Sequence, residues 1–147
     1  MEWVRKLQGQ TVGIDTAPLI YYIEQHSDYI ERVRPFFTSL AQGHFRVVTS
    51  TVTLLEVLIH PLRRGDEALA RLYNDILLSS PNISTMPVTY ATAQEAAELR
   101  AQHNLKTPDA IQLAIALSER ATALLTNDRA FPQDIGIEIL RLKDIVE

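Results

Sequence analysis

Residues 105–117 read LKTPDAIQLAIAL. Pro108 suits a first helical turn, Thr107 suits the cap before it, and the run from Ala110 onward is apolar enough to be buried. Asp109 does not fit that description. It is a carboxylate at the head of an apolar helix. The helix dipole favours an anion there, so Asp109 alone reads as a residue that helps the helix start. The chain, however, places an acid at a comparable boundary three more times.

Outward from this segment, short β-branched runs alternate with longer helical ones. Strands are expected at 11–15 (TVGID), 45–50 (FRVVTS), 82–88 (NISTMPV), 122–128 (TALLTND) and 137–145 (IEILRLKDI). Helices are expected at 17–26, with Pro18 in the first turn, and at 27–43, with Ser27 as cap, Gly43 as stop and a bend or break at Pro35. A further helix follows Ser50 or Thr51 and stops at His60 before Pro61, and two more cover 65–80 and 89–104. Such alternation predicts an α/β fold in three layers: a mostly parallel sheet of about five strands with helices on both faces. In sheets of this kind ligands bind beyond the carboxyl ends of the strands.

All four acids are expected at that edge. Asp15 ends the first strand and Asp128 ends the strand ALLTND. Asp109 opens its helix. Glu56 lies one turn into the helix after FRVVTS, within TLLEVLI, where nearly every face is apolar and the helix, expected to end at His60, holds no Lys or Arg. Taken singly, Asp15 suits a helix cap and Asp128 an Asn-Asp turn. Glu56 is harder to explain structurally, because a buried carboxylate needs compensation. Four acids on one edge repel one another in a low-dielectric cleft, and cations relieve this. Oxygen-only donors suit Mg²⁺ or Mn²⁺. Four histidines and no cysteines make a poor zinc set. His60 shares a helix face with Glu56, but its place before Pro61 reads as a solvated histidine at a helix end.

Composition narrows the classes. A chain of 147 residues is expected to be one domain, 1–147. There is no cysteine, so disulfides and thiolate metal sites are excluded. No apolar run reaches membrane-span length, and the first residues lack a signal-like apolar stretch, which makes a cytoplasmic location the expectation. The formal net charge of -4 argues against gripping nucleic acid by bulk positive charge, though not against a metal-dependent nuclease. The five glycines form no phosphate loop, and no G-x-S-x-G turn is present.

Four segments, GIDTAPLIYYIE, VVTSTVTLLEVL, LKTPDAIQLAIA and LLTNDRAF, together resemble the PIN-domain proteins, in particular the VapC-type toxin ribonucleases of prokaryotic toxin–antitoxin pairs. The resemblance spans about residues 12–142. It implies that Asp15, Glu56, Asp109 and Asp128 are the metal-binding and catalytic acids, with Thr16, Thr126 and Asn127 in support. It also implies cleavage of single-stranded or looped RNA, Mg²⁺ or Mn²⁺ as cofactor, and an antitoxin whose helical tail lies in a groove beside 18–26 and 28–37. A homodimer is the expected assembly. Arg63, Arg64, Lys106 and Arg129 flank the acidic segments and are candidate RNA contacts. Two rival readings stay open. One is a non-catalytic PIN-like module that binds RNA or protein. The other is a haloacid-dehalogenase-like phosphatase, which needs an acid two residues after its nucleophile where this chain has Ala17.

Overall fold

The computed structural model describes residues 1–145. Among these residues five strands form one sheet: β1 (Thr11–Ile14), β2 (Arg46–Ser50), β3 (Ile83–Met86), β4 (Ala123–Thr126) and β5 (Glu138–Arg141), in the order β3-β2-β1-β4-β5. All four pairings are parallel, so the sheet is parallel throughout. Seven helices accompany it: α1 (Glu2–Arg5), α2 (Thr16–Ile23), α3 (Ile30–Ala41), α4 (Thr51–Arg64), α5 (Glu67–Ser79), α6 (Tyr90–His103) and α7 (Thr107–Ser118).

Side-chain alternation in the strands divides the interior into two cores. Val12, Ile14, Val47 and Leu125 pack with residues of α2, α3, α4 and α5 on one face. Val48 and Leu124 pack with α6 and α7 on the other. The helices therefore cover both faces, as the alternating pattern predicts.

The chain winds from β1 out to β3, then returns past the centre to β4 and β5. The order reverses between β1 and β4, which makes the carboxyl end of that pair the switch point of the sheet. Helix α7 crosses close to β1 there. A Cβ on Gly13 would lie 2.9 Å from Ala116 Cβ and 3.0 Å from Leu124 Cδ1. The missing side chain of Gly13 thus sets how near the helix bearing Asp109 comes to the strand bearing Asp15.

Several helix ends differ from expectation. Helix α3 begins at Ile30, and Ser27 does not cap it. The preceding segment is held as a turn, with the His26 carbonyl accepting from Tyr29 and Ile30 and His26 packed against Tyr21 and Tyr29. Glu31 pairs with Arg34 at 2.9 Å instead. Helix α3 also runs unbroken through Pro35, anchored by buried Val33, Phe36, Phe37 and Leu40. Core burial on both sides of the proline outweighs its missing backbone bond.

Helix α4 likewise continues through Pro61 to Arg64. Pro61 is buried, and the helix stops where Gly65 adopts φ 68°. The N–H groups of Gly65 and Asp66 then bond to the Leu62 and Pro61 carbonyls, a Schellman ending. At α7 the capping position falls to Lys106, not Thr107, and Thr107 is the first helical residue. The last expected strand shortens to β5 and passes into a 3-10 turn, Leu142–Asp144.

Candidate active site at the sheet edge

Asp15 follows β1 directly and caps α2. Its Oδ1 accepts from the Thr16 N–H at 2.9 Å, and its Oδ2 accepts from Thr126 Oγ1, also at 2.9 Å. Thr126 ends β4, the neighbouring strand, so the strand pairing itself brings the hydroxyl to the carboxylate. Thr126 Oγ1 in turn accepts the Asp128 N–H at 3.0 Å. Asp128 also makes the turn its sequence suggests, its Oδ1 accepting from the Ala130 N–H at 2.9 Å. The Arg141 guanidinium holds this loop from β5, donating to the carbonyls of Asp128, Arg129 and Phe131.

Glu56 reaches the edge from α4, where its Oε1 accepts from Thr16 Oγ1 at 2.6 Å. It is half-buried, not enclosed. The apolar residues around it divide: Val57 enters the core, while Leu55 is exposed to solvent. Arg63 and Arg64 lie on the same helix after all, two turns further on, and neither pairs with Glu56 among the described residues.

Beneath Glu56 lies a buried polar chain. Thr16 Oγ1 is 3.2 Å from Thr53 Oγ1, which accepts from Gln112 Nε2 at 2.5 Å and from Thr49 Oγ1 at 2.9 Å. Ser50 Oγ donates to Gln112 Oε1 at 2.8 Å. Gln112 stands one turn past Asp109 on α7. The network therefore ties the helix of Asp109 to that of Glu56 and to the Asp15 turn. Buried polar groups persist only when satisfied, and every member here has a partner.

Asp109 is 8% exposed at the start of α7. Its carboxyl is pushed up to about 7, first by burial, then by the charges of Asp128 and Asp15, by hydrogen bonding to Asp128 and by the charge of Glu56. Asp15 is raised too, again mainly by burial and partly by Glu56 and Asp128, against the lowering effect of its two hydrogen bonds. The four acids therefore feel one another across one cleft of about 540 Å³, whose lining includes Asp15, Thr16, Glu56, Asp109, Asn127 and Asp128. None of the four forms a salt bridge with a Lys or Arg among the described residues.

Of the candidate cations, only Arg129 lines this cleft. Arg64 turns to Asp66 at 3.8 Å, and Arg63 and Lys106 are exposed outside the lining. His60 is exposed and also outside it. Lys143 and Tyr21, which sequence reading did not single out for the cleft, do line it. Nothing in the local sequence marks them, because they reach the cleft only through the placement of the turn after β5 and of α2. Thr53 and Gln112 were likewise missed. Their signal was a polar residue on the buried face of an otherwise apolar helix.

A family model described as the PIN domain matches residues 12–133. No curated protein matches the chain. Similar solved structures include a toxin-antitoxin complex from Klebsiella pneumoniae, with TM-score 0.68, 21% identity, and coverage of 91% of this chain and 99% of that one. VapBC2 from Rickettsia felis, bound to a DNA fragment from its promoter, has TM-score 0.67 and 18% identity, with coverage of 89% and 98%. VapC20 from Mycobacterium tuberculosis, a Sarcin-Ricin loop cleaving toxin, has TM-score 0.65 and 19% identity, with coverage of 84% and 91%. The identities are low, so these likenesses speak to the fold. With the family model spanning both strands and both helices that carry the four acids, the chain belongs to the PIN-domain family.

Proposed function

We propose that the protein is a metal-dependent endoribonuclease and the toxin of a toxin–antitoxin pair. The observation that carries this reading is the convergence of Asp15, Glu56, Asp109 and Asp128 on the switch-point edge, with no Lys or Arg side chain paired to any of them among the described residues. Among the described residues no three His, Asp or Glu side chains are closed into a chelating cage. The donor set nevertheless fits a hard cation: it is all oxygen, it is mutually repulsive, and it opens to the cleft. Asp15 and Asp109 are the candidates for direct ligands of Mg²⁺ or Mn²⁺, with Glu56 and Asp128 acting partly through water. When bound, such an ion supplies positive charge against the phosphodiester oxygens and acidifies water. The chain's own part is to hold the carboxylates ready. Thr126 and Thr16 orient Asp15 and Glu56, Asn127 and the Arg141 clamp shape the loop of Asp128, and Arg129 offers charge to the RNA backbone.

The comparisons favour this over a phosphatase, because the family match spans the site and Ala17 stands where a phosphatase needs its second acid. They leave the non-catalytic module as the rival, and activity separates the two. The purified chain should cleave RNA with Mg²⁺ or Mn²⁺ and stop with a chelator, and its expression should arrest bacterial growth. An intact chain that binds RNA but never cleaves it, at any metal concentration, overturns the nuclease.

Two partner surfaces go with this function. An apolar groove of about 390 Å³, lined in part by Leu19, Tyr22, Ile23, Phe37 and Ile83, supports docking of an antitoxin helix. On α4, Leu55 and Leu62 are 61% and 66% exposed, and Ile59 lies on the same stripe. That stripe supports a homodimer. Among the described residues no helix is long and apolar enough to cross a membrane.

A further inference from the structure

Tyr21 and Lys143 line the acidic cleft, yet the chemistry above leaves both unused. Lys143 lies in the turn Leu142–Asp144 after β5. Its N–H donates to Asn127 Oδ1 at 3.0 Å. The carbonyls of Leu142 and Lys143 accept from the Arg32 guanidinium at 2.9 and 3.4 Å, and the Leu142 side chain is buried. The backbone is held from three directions, while Lys143 itself stays exposed. Among the described residues neither Lys143 nor Arg129 forms an ion pair, although both face a cleft of carboxylates.

Tyr21 is held as firmly. Its ring stacks on Tyr29, with centroids 4.7 Å apart and planes 17° apart, and His26 packs against both. Its hydroxyl accepts from Asn127 Nδ2 at 3.3 Å. The one amide of Asn127 therefore fixes both the aromatic ring and the turn of the lysine, next to Asp128. Tyr21 is the member of the aromatic stack that lines the cleft, and it is partly exposed.

We propose that Tyr21 and Lys143 form a nucleotide subsite beside the acids, in which Lys143 with Arg129 receives a phosphate flanking the cleaved one and Tyr21 packs against an unpaired base. The proposal rests on the ribonuclease reading and adds which residues hold the nucleotide beside the cleaved bond; that base is unpaired, since a base must leave its stack to reach an aromatic ring. A rigid aromatic with two unpaired cations fits a polyanion.

The test uses a short fluorescent single-stranded RNA and the full chain carrying Asp15→Asn without added divalent metal, so that cleavage is negligible during the binding measurement. Lys143→Gln is expected to weaken binding about fivefold and to reduce the slope of log affinity on log salt by about 0.7. Tyr21→Leu is expected to weaken it about tenfold with the slope unchanged, and Tyr21→Phe to stay within about twofold. Duplex RNA should not respond to Tyr21→Leu. Melting curves check that each variant folds, and Lys143→Gln, at an exposed side chain, decides the matter even if Tyr21→Leu does not. Unchanged affinity and salt slope for Lys143→Gln overturn the subsite, as does an effect confined to capture of a basic helical peptide. If the parent cleaves RNA and the variants match it, the subsite fails and the nuclease stands. If the variants lose RNA binding but the parent never cleaves, the nuclease fails and the subsite stands.

Discussion

Helix α2 serves two clefts with adjacent tyrosines. Tyr21 lines the acidic cleft, and Tyr22 lines the apolar groove between α2, α3 and the α5–β3 connection. The first cleft carries four carboxylates, and burial together with the neighbouring charges raises the proton affinity of Asp15 and Asp109. The second is walled by Leu19, Ile23, Phe37 and Ile83, with Tyr22 stacked on Phe37 at 4.3 Å. The helical turn of about 100° per residue separates the neighbours. The acidic cleft keeps its components apart from their preferred state and is strained electrostatically. The groove merely leaves apolar surface uncovered. One is built for chemistry on a charged substrate, the other for association, and perturbations of the two should differ in kind.

The largest effect is expected at Asp15. Asp15→Asn keeps the helix cap but removes the carboxylate charge that accepts from Thr126, and RNA cleavage should fall on the order of 10²–10³-fold with growth arrest abolished. A variant as toxic as the parent removes this residue from the chemistry. Tyr22→Ala, at the groove, should leave the cleavage rate of isolated protein unchanged.

Asp109 tests the electrostatic strain. Its folded value of about 7 lies above the ordinary 3.8, so the metal-free fold holds that proton more tightly than the unfolded chain does. The stabilisation this brings is complete below about pH 4 and is lost as pH rises through 7, by at most about 4 kcal/mol. Asp109→Asn should therefore flatten the metal-free stability curve between those limits and raise the melting temperature at pH 8. An aspartate serving only the helix dipole gives the opposite sign, a loss of about 0.3–1 kcal/mol. Saturating Mn²⁺, at about a hundred times its dissociation constant, should add about 2.7 kcal/mol to the parent. That corresponds to about 5–10 °C, and the shift should shrink in Asp109→Asn.

Gly13→Ala probes how the cleft is assembled. The added methyl meets the Cβ of Ala116, which cannot rotate away, so α7 must move. A loss of about 1–3 kcal/mol is expected by denaturant melting, together with weaker Mn²⁺ binding because Asp109 moves with its helix. Unchanged metal affinity despite the stability loss would show that the cleft tolerates such a shift.

The smallest effects belong to the groove. Phe37 is only 7% exposed, so a charge there would unfold the core before it reported on binding. Tyr22→Ala is the cleaner probe. It should weaken capture of a co-expressed antitoxin by about 1 kcal/mol or more while leaving the Mn²⁺ shift intact. Loss of both together would mean that the two clefts are not separable.

Asp15, Asp109 and Asp128 were legible because each stands beside a strand end or a helix start, boundaries that β-branched runs, Pro108 and the cap residues mark locally, and Glu56 because it is a lone acid in an apolar stretch of its helix. The alternation of elements was enough for the parallel sheet and its helical layers. Pro35 and Pro61 misled for a physical reason. A proline costs one backbone bond, and burial of the residues around it outweighed that loss in both helices. Ser27 and Thr107 suited caps by type but were displaced by the His26 turn and by Lys106.

The sequence by itself determined the kinds of group at the site and the order in which the chain delivers them, because hydrophobic period and boundary chemistry are local properties. Only the tertiary structure decided which groups share the cleft. Asp15 meets Thr126 because β1 pairs with β4, 111 residues away in the chain. Glu56 rests on a buried chain from Gln112 because α4 and α7 flank the same edge. Lys143 arrives where Arg63, Arg64 and Lys106 do not, because the turn after β5 is anchored to Asn127 and Arg32. A side chain's neighbours across a sheet depend on register and layer packing, which no single segment contains.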